Sequence, residues 1–412
     1  MVLNYAAAVE QKKHIICIVR TFGFPNGMAA TQRLRLMMRA LVEQGADVTV
    51  LVMWVSEQPP VIENTQTRGE WHGVRFEYTT GTTIRPRNFF ARRWIELHGI
   101  VGALRRVIQF QRACPITCLY LYDAVMRMTI AHWLFVLMAR WLRIPVAVEL
   151  NERPWSMREN ATRIERAISP LRGVQGVIVI SDLLREWVEF ESARRRLTVS
   201  VIQLPILVDT NEFTQSATRY EPPMVLYAAS PTYDESLRFI LDAMAQVWQA
   251  VPQCRLVITG NHPILRGKSE TTGATGQLVA PGLIEQAGYL TRPELLERYA
   301  RASALLIPLF NDVRSRARFP TKLGEYLAAG RPVITNRVGE VARYLKDRIN
   351  AFVCEPGDAR LYGQTILKAI QNPVRANQIG LAGRMVAEQS FHYGRYAPEL
   401  KRFFYSLKRA DA

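Results

Sequence analysis

Residues 318–335, RFPTKLGEYLAAGRPVIT, constrain the fold more than any other stretch of this chain. An apolar run at 304–309 precedes them. The stretch itself predicts a polar loop, a short helix that ends at Gly330, and a second buried strand at 332–335. Strand, loop, helix and strand form the repeating unit of a parallel α/β sheet. Ligands of such sheets bind beyond the carboxyl ends of the strands, so the loop 311–321 is the predicted ligand-binding loop.

Lys322 and Glu325 open the predicted helix, and their spacing of three residues places both side chains on one face. The first turn of a helix has free backbone N–H groups that already favour a phosphate. A diphosphate joined to a ribose would therefore match a lysine and a carboxylate at this place. A solvated charge pair in the first turn is the alternative interpretation.

The same segment resembles the donor-binding motif of the GT-B glycosyltransferases, most closely glycosyltransferase family 4. The family pattern runs approximately P-x-K-x-x-E-Y-x-A-x-G-x-P-V. The matching residues in this chain are Pro320, Lys322, Glu325, Tyr326, Ala328 or Ala329, Gly330, Pro332 and Val333.

The resemblance implies that Glu325 accepts hydrogen bonds from the ribose hydroxyls of a nucleotide-sugar, and that Lys322 contacts its diphosphate and acts in catalysis. It extends the donor site to four neighbouring residues, Arg318, Phe319, Pro320 and Thr321. Many family members carry another glutamate eight residues before the conserved one, directed at the donor sugar. Here that residue is Ala317, so either the sugar is recognised differently or the donor site is altered.

Length and composition are those of a globular protein with two domains. The chain has 412 residues, of which 49% are hydrophobic and 22% are charged. No apolar run reaches the roughly 20 residues of a membrane-spanning helix, and the first ten residues lack the pattern of a signal peptide. The five cysteines are scattered, which argues against disulfide or metal roles and favours a reducing cytoplasm. By the family resemblance we expect no metal and no cofactor, with the nucleotide-sugar as donor substrate, and the lack of a clustered Asp/His ligand set is compatible with this.

The chain begins with a predicted buried strand at 14–19, a glycine-bearing loop at 20–30 and an amphipathic helix that ends at Gly45. The next predicted strand spans 47–54, which completes a βαβ unit. Gly27 allows a ligand to approach the backbone closely, although many such turns hold glycine for geometry alone. Family members have a comparable turn near the donor phosphate and the acceptor. By this resemblance Gly27 belongs to the donor site, and Asn26 and Arg33 lie on the acceptor side.

Residues 85–143 are strongly basic. They contain ten arginines and only two acidic residues, a net charge of +8 in a chain whose total is +17. Residues 88–112 predict a helix with arginines beside an apolar stripe, which is formed by Trp94, Leu97, Val101, Leu104 and Ile108. A basic amphipathic helix indicates docking to an anionic membrane surface. The alternative is a helix that covers the sheet and has a solvated basic face.

Predicted strands at 117–122, 145–150 and 177–181 continue the first domain. The loop 149–155, ELNERPW, follows the second of them. Family members often present a histidine there, near the reacting sugar. In this chain Asn151 and Glu152 take that place: an asparagine can bind a sugar hydroxyl, and a glutamate can orient the acceptor or act as a base. A structural loop capped by Asn151 is the alternative.

The predicted domain division is 1–204, a linker at 205–223, and 224–390, with a last helix at 395–409 that returns to the first domain as in GT-B enzymes. The first turn of the second domain, SPTYDES, is where relatives commonly place an arginine and a lysine for the diphosphate. Here the turn carries Asp234 and Glu235. Lys322, with Arg314, Arg316 or Arg318, would have to replace those cations.

The fold class that follows is α/β of the GT-B type, with two Rossmann-like parallel-sheet domains facing across a cleft. The resemblance implies a retaining, metal-independent glycosyltransferase. It would move a sugar from a nucleotide-sugar to a glycan or lipid-linked acceptor at the cytoplasmic face of the membrane. One alternative is a GT-B-like binding protein without transfer chemistry, which Ala317, Asp234 and Glu235 favour. A nucleic-acid binder is suggested by charge alone and lacks any binding module, so we expect no nucleic-acid partner.

Overall fold

The computed structural model describes residues 13–60, 62–122, 130–154, 169–214, 219–228, 234–262 and 282–408. They divide into two compact units. The first contains the chain up to Val179, Arg185–Leu204 and the residues from Tyr396 onward; the second contains Ile180–Leu184 and Pro205–Arg395.

The first unit is built on an eight-stranded sheet in the order β3-β4-β2-β1-β5-β6-β7-β8. Its strands are β1 (His14–Val19), β2 (Asp47–Val52), β3 (Arg68–Trp71), β4 (Val74–Tyr78), β5 (Ile116–Leu121), β6 (Val146–Leu150), β7 (Gly176–Val179) and β8 (Ser200–Gln203). All neighbours pair in parallel except β3, which pairs antiparallel with β4 at one edge. This edge hairpin was not predicted from the sequence.

The second unit is built on a six-stranded sheet in the order β11-β10-β9-β12-β13-β14. Its strands are β9 (Met224–Ala228), β10 (Arg255–Thr259), β11 (Ile284–Gly288), β12 (Ala304–Ile307), β13 (Val333–Asn336) and β14 (Phe352–Cys354). Every pair of neighbours is parallel. The α/β fold class with two parallel sheets is therefore confirmed, apart from the single antiparallel edge strand β3.

The helices follow the strands as βα units require. Those of the described residues are α1 (Ala29–Glu43), α2 (Phe89–Ala113), α3 (Ile130–Trp141), α4 (Asp182–Arg195), α5 (Asp234–Ala250), α6 (Arg292–Arg301), α7 (Val313–Ala317), α8 (Thr321–Ala328), α9 (Val341–Tyr344), α10 (Ala359–Gln371), α11 (Pro373–Val386) and α12 (Ala397–Ser406). Helix α7 occupies part of the predicted loop 311–321. It begins at the cap Asp312, whose carboxylate accepts a hydrogen bond from the Ser315 amide at 2.6 Å.

Helix α2 packs through residues that lie outside the predicted apolar stripe. The buried positions of the helix are Gly99, Ala103 and Val107. A Cβ atom at Gly99 would lie 2.6 Å from the carbonyl oxygen of Met53, so this close approach requires glycine. The bulky stripe residues therefore do not form the packing face, and Trp94 is 70% exposed.

The last helix, α12, belongs to the first unit. It contacts α1 and β5, and the Lys401 ammonium donates a hydrogen bond to the Gln44 carbonyl oxygen at 2.9 Å. The Phe404 ring meets the Tyr120 ring edge-on at 5.4 Å between centroids. The chain thus completes the first unit with its C-terminal segment.

Candidate functional site

The second sheet changes the direction of its strand order between β9 and β12, and the predicted donor residues follow β12. In open α/β sheets ligands bind beyond the carboxyl ends of the strands at such a switch point. Helix α8 begins at Thr321, just beyond this edge, and carries both Lys322 and Glu325. The described part of the turn between β9 and α5 begins at Asp234; residues 229–233, which form most of the predicted diphosphate turn, lie outside the described residues.

Glu325 does not form a solvated pair with Lys322. Its side chain is 14% exposed, and its Oε1 accepts a hydrogen bond from Nη1 of Arg292 at 2.6 Å. The hydroxyl group of buried Tyr299 donates to its Oε2 at 3.4 Å. The ribose-binding role predicted for this carboxylate stays a prediction, but the carboxylate is held by two partners that the sequence analysis did not identify.

Lys322 is half-buried next to these groups. Desolvation of its ammonium group lowers its pKa; Glu325 opposes the shift and Arg292 adds to it. A lysine whose charge is poorly compensated by the protein gains from an anionic ligand, because a phosphate oxygen restores the favourable interactions that burial removed. Its environment is therefore suited to the predicted diphosphate.

The residues before α8 have different environments. The ring of Phe319 is buried and lies 5.6 Å from the Tyr344 ring in a stacked arrangement, so only its backbone is left for the predicted donor contact. Pro320 precedes the first residue of α8, Thr321, and Arg318 is half-buried.

Ala317, at the position where relatives carry a sugar-binding glutamate, is fully buried. Its carbonyl oxygen accepts a hydrogen bond from Ser181 Oγ at 2.7 Å. The altered position is thus a buried methyl group inside the second unit, and residue 317 itself offers no carboxylate.

In the first unit, Asn26 and Gly27 lie in the loop between β1 and α1. The Asn26 amide group donates to the Glu63 carbonyl oxygen at 2.9 Å, and the Asn26 backbone N–H donates to Asn64 Oδ1 at 2.9 Å. A Cβ atom at Gly27 would lie 2.3 Å from Thr31 Oγ1. This steric contact is enough to explain the glycine, whether or not a ligand binds there. The ligand roles predicted for both residues stay predictions.

Arg33, predicted on the acceptor side, lies in the core of the first unit. Its side chain is 1% exposed, and its Nε is 2.5 Å from Oε1 of Glu149, whose side chain is fully buried. Its Nη2 donates to the Leu204 carbonyl oxygen at 2.9 Å, and Tyr120 donates its hydroxyl hydrogen to Glu149 Oε2 at 2.5 Å. Burial alone would lower the pKa of Arg33, but the Glu149 carboxylate raises it. The structure gives Arg33 a structural partner, and a contact with an acceptor stays a prediction.

Asn151 and Glu152 follow β6 directly and are both half-buried. The Asn151 amide donates to the Tyr122 hydroxyl at 3.3 Å, which joins the ends of β6 and β5. Since β1, β5 and β6 are neighbours and parallel, the loops that carry Asn26, Asn151 and Glu152 leave the same edge of the first sheet. The structure thus places these predicted acceptor residues along one edge of one unit.

Three residues at the donor site were missed by the sequence analysis: Arg292, Tyr299 and Glu212. A signal for the first was present, because TRPE at 291–294 has the spacing of a helix capping box. In the structure the Glu294 carboxylate accepts hydrogen bonds from the backbone N–H of Thr291 at 2.8 Å and from its hydroxyl at 2.7 Å. This cap starts α6 just after β11 and therefore sets Arg292 at the carboxyl edge of the sheet.

Metal-binding clusters, membrane-spanning helices and disulfides were also searched for among the described residues. No three His, Cys, Asp or Glu side chains among them form a group that could hold a metal ion. No helix among them combines the length and apolar character needed to cross a bilayer. The five cysteines are free thiols.

Comparisons with known proteins agree with this architecture. Residues 222–372 match the family described as glycosyl transferases group 1. No curated protein sequence matches the chain. Sucrose-phosphate synthase from Thermosynechococcus elongatus has a similar structure, with a TM-score of 0.67 and 16% identity over 95% of this chain and 98% of its own.

Two other solved structures are similar over nearly the whole length. HepE from Anabaena, in complex with UDP-glucose, has a TM-score of 0.64 and 14% identity over 96% of this chain and 100% of its own. The α,α-trehalose 6-phosphate synthase from Burkholderia multivorans has a TM-score of 0.64 and 12% identity over 96% and 97%. At these identities the likeness is one of fold.

Proposed function

We propose that this chain transfers a sugar from a nucleotide-sugar to a glycan or lipid-linked acceptor with retention of anomeric configuration. Its GT-B fold and the match of residues 222–372 to glycosyl transferases group 1 support the proposal. The observation that carries the proposal is the placement of Lys322 and Glu325. Both lie on α8 at the switch point of the second sheet, with environments that suit a diphosphate and a ribose. The complex of HepE with UDP-glucose supports a donor of this class.

In the proposed reaction Glu325 accepts hydrogen bonds from the ribose hydroxyls and Lys322 holds the diphosphate. Negative charge on the diphosphate grows as its bond to the sugar breaks. The Lys322 ammonium and the free N–H groups at the start of α8 stabilise that charge. The chain's own groups supply the positive charge, and we propose that the transfer requires no metal.

The acceptor would be bound by the first unit. Asn151 offers an amide that can exchange hydrogen bonds with a sugar hydroxyl, and Glu152 offers a carboxylate that can orient or deprotonate it. Asn26 leaves the same sheet edge. These assignments rest on the shared edge and on the chemistry of the side chains.

A screen of nucleotide-sugars by thermal stabilisation tests the donor proposal, because a ligand that binds only the native state raises its melting temperature. Glu325→Gln keeps the shape of the side chain but removes its charge. We expect it to weaken donor binding by roughly 1.5–3 kcal/mol, or about 10- to 150-fold in Kd. Calorimetric titration measures this loss.

Glu355→Gln is the control for that titration, because this glutamate of the same unit is 69% exposed at the side chain and lies beyond the site. Its Kd should equal that of the wild type. Equal affinity of Glu325→Gln and the wild type would instead show that the ribose lies elsewhere.

A second function, binding without transfer, is favoured by the buried methyl group of Ala317. It predicts that the screen finds a ligand, but that the protein releases no nucleoside diphosphate from that ligand.

We also propose that α2 docks on an anionic membrane surface at the cytoplasmic face. Because the helix packs through Gly99, Ala103 and Val107, it leaves apolar side chains in solvent. Those exposed on α2 and its neighbour α3 are Phe89, Phe90, Trp94, Leu97, Leu134, Leu137 and Trp141. Exposed arginines lie in the same segment, at positions 85, 87, 93, 105, 112, 140 and 143. Apolar rings beside cationic groups are suited to the headgroup region of anionic lipids.

The protein should therefore sediment with vesicles of phosphatidylcholine and phosphatidylserine, and salt should release it. Phe90→Ser/Trp94→Ser should lower this binding about tenfold or more, since two large rings no longer leave water. Phe190→Ser is a matched control, because this ring on α4 is 65% exposed and lies outside the basic segment. Equal sedimentation with pure phosphatidylcholine, or with neither vesicle, would rule the docking out.

A further inference from the structure

Arg292 lies between two carboxylates of the second unit. Its Nη1 donates to Glu325 Oε1 at 2.6 Å and its Nη2 donates to Glu212 Oε2 at 2.8 Å. The three groups come from separate segments: the 3₁₀ turn Thr210–Glu212, the first residue of α6, and α8. The guanidinium also lies 5.5 Å from the centre of the Phe213 ring. One side chain is thus fixed by contacts on several sides.

The charges of this cluster keep Arg292 ionised. Burial opposes the charge, but Glu325 and Glu212 raise the pKa of the guanidinium above its already high usual value. Without this cation the two carboxylates would lose a shared partner, and the hydrogen bond from Tyr299 would be the one left to Glu325 among the described residues. The planar fork of arginine also fixes orientation, because its two nitrogen atoms each engage a different carboxylate.

The geometry leaves part of Glu325 unused. An ionised carboxylate has about four acceptor positions, two on each oxygen. Arg292 takes one on Oε1, and Tyr299 takes one on Oε2. Among the contacts of the described residues, one acceptor position on each oxygen remains, which is the arrangement that two neighbouring hydroxyl groups require.

We infer that Arg292 is a positioning residue, which orients the Glu325 carboxylate toward the 2′- and 3′-hydroxyls of the donor ribose, and that Glu212 holds Arg292 in that orientation. The inference rests on the proposed function, because it takes Glu325 as the ribose acceptor. It predicts that recognition of the ribose diol, rather than the fold, depends on Arg292.

The test compares nucleotides with and without the diol. The probes are UDP, ADP and GDP and their 2′,3′-dideoxy analogues, titrated calorimetrically. For the nucleotide that binds, the wild type should prefer the ribose form by about 10-fold or more, since two hydrogen bonds to a charged acceptor are lost in the analogue. Arg292→Met should bring this preference to within about threefold. It should weaken binding of the ribose nucleotide, and it should weaken binding of the dideoxy analogue much less.

Arg298→Met is the matched control. Arg298 lies on the same helix, its side chain is 27% exposed against 32% for Arg292, and its Nη1 forms an ion pair with Glu285 at the same distance of 2.6 Å. It should keep the wild-type preference for the ribose form. If both variants have similar melting temperatures and only Arg292→Met loses the preference, the effect is one of orientation.

The outcomes separate the inference from the proposed function. If the wild type binds both nucleotide forms with equal affinity, Glu325 does not bind the ribose hydroxyls, and the proposed function loses that contact. A wild type that discriminates, with an Arg292→Met variant that discriminates equally well, would overturn only the role of Arg292. Should Arg292→Met not fold, Arg292→Lys decides the matter: a single ammonium cannot reach both carboxylates with a planar fork, so the preference should fall, and an unchanged preference would overturn the inference.

Discussion

Replacing Lys322 with alanine is expected to lower turnover by about 10²- to 10³-fold, the loss that follows removal of a group stabilising transition-state charge. The donor affinity should fall less, by about tenfold or under, because the charge on the diphosphate grows only as the sugar departs. Initial rates of nucleoside diphosphate release, measured over a range of donor concentrations, separate the two effects.

Lys346→Ala serves as the control, because it removes an exposed lysine of the same unit and should leave the rate unchanged.

The pH dependence of the reaction adds an independent check. The active form of Lys322 is protonated, and burial lowers its pKa below the ordinary 10.5, so kcat/KM should fall as pH rises through that lowered value. Lys322→Arg should move this alkaline limb upward. Turnover of Lys322→Ala within threefold of the wild type would place the leaving-group site elsewhere.

The largest effect on stability is expected from Glu149→Gln. It leaves the Arg33 guanidinium charged and almost completely buried, and it removes the negative charge of Glu149 that compensates it. Breaking a buried ion pair on one side costs about 3–5 kcal/mol in free energy of unfolding. Urea denaturation followed by tryptophan fluorescence measures this loss for the first unit, because seven of the eight tryptophans precede residue 205.

Arg33→Met/Glu149→Gln should recover most of that stability, since neither side chain is then charged and the glutamine can still accept the hydrogen bond from Tyr120. The same double variant tests the predicted acceptor role of Arg33. If the fold is restored and the KM for the acceptor is also normal, Arg33 acts only within the core. A destabilisation by Glu149→Gln of under 1 kcal/mol would mean that water or a further group compensates the arginine.

Much of the local structure follows from periodicity. The strand predicted at 14–19 has those bounds in the structure. Of the predicted apolar face of α1, the residues Leu34, Met37, Met38 and Leu41 are buried and Val42 is half-buried. The motif in residues 318–335 led correctly to a strand, a helix and a strand, and to the GT-B fold. These features depend on residues close together in the chain, because apolar side chains repeat with one of two periods, about 3.6 residues in a helix and about 2 in a strand.

Helix α2 shows what periodicity leaves open. Its apolar stripe indicated membrane docking, with a helix that covers the sheet as the alternative, and neither interpretation identified Gly99, Ala103 and Val107 as the buried face. Hydrophobicity does not reveal that face, because the distance between two elements decides which side chains can lie between them. That distance is a property of the assembled unit.

The sequence by itself determined the first βαβ unit, the strand, helix and strand around residues 318–335, the excess positive charge of residues 85–143, and the presence of Lys322 and Glu325 on one helix face. Only the tertiary structure decided which charges are paired. Arg33 meets Glu149 across 116 positions of sequence, and Arg292 meets Glu325 across 33 positions and Glu212 across 80. Such partners have no local signature, because an ion pair forms wherever the packed sheets bring opposite charges together and exclude water.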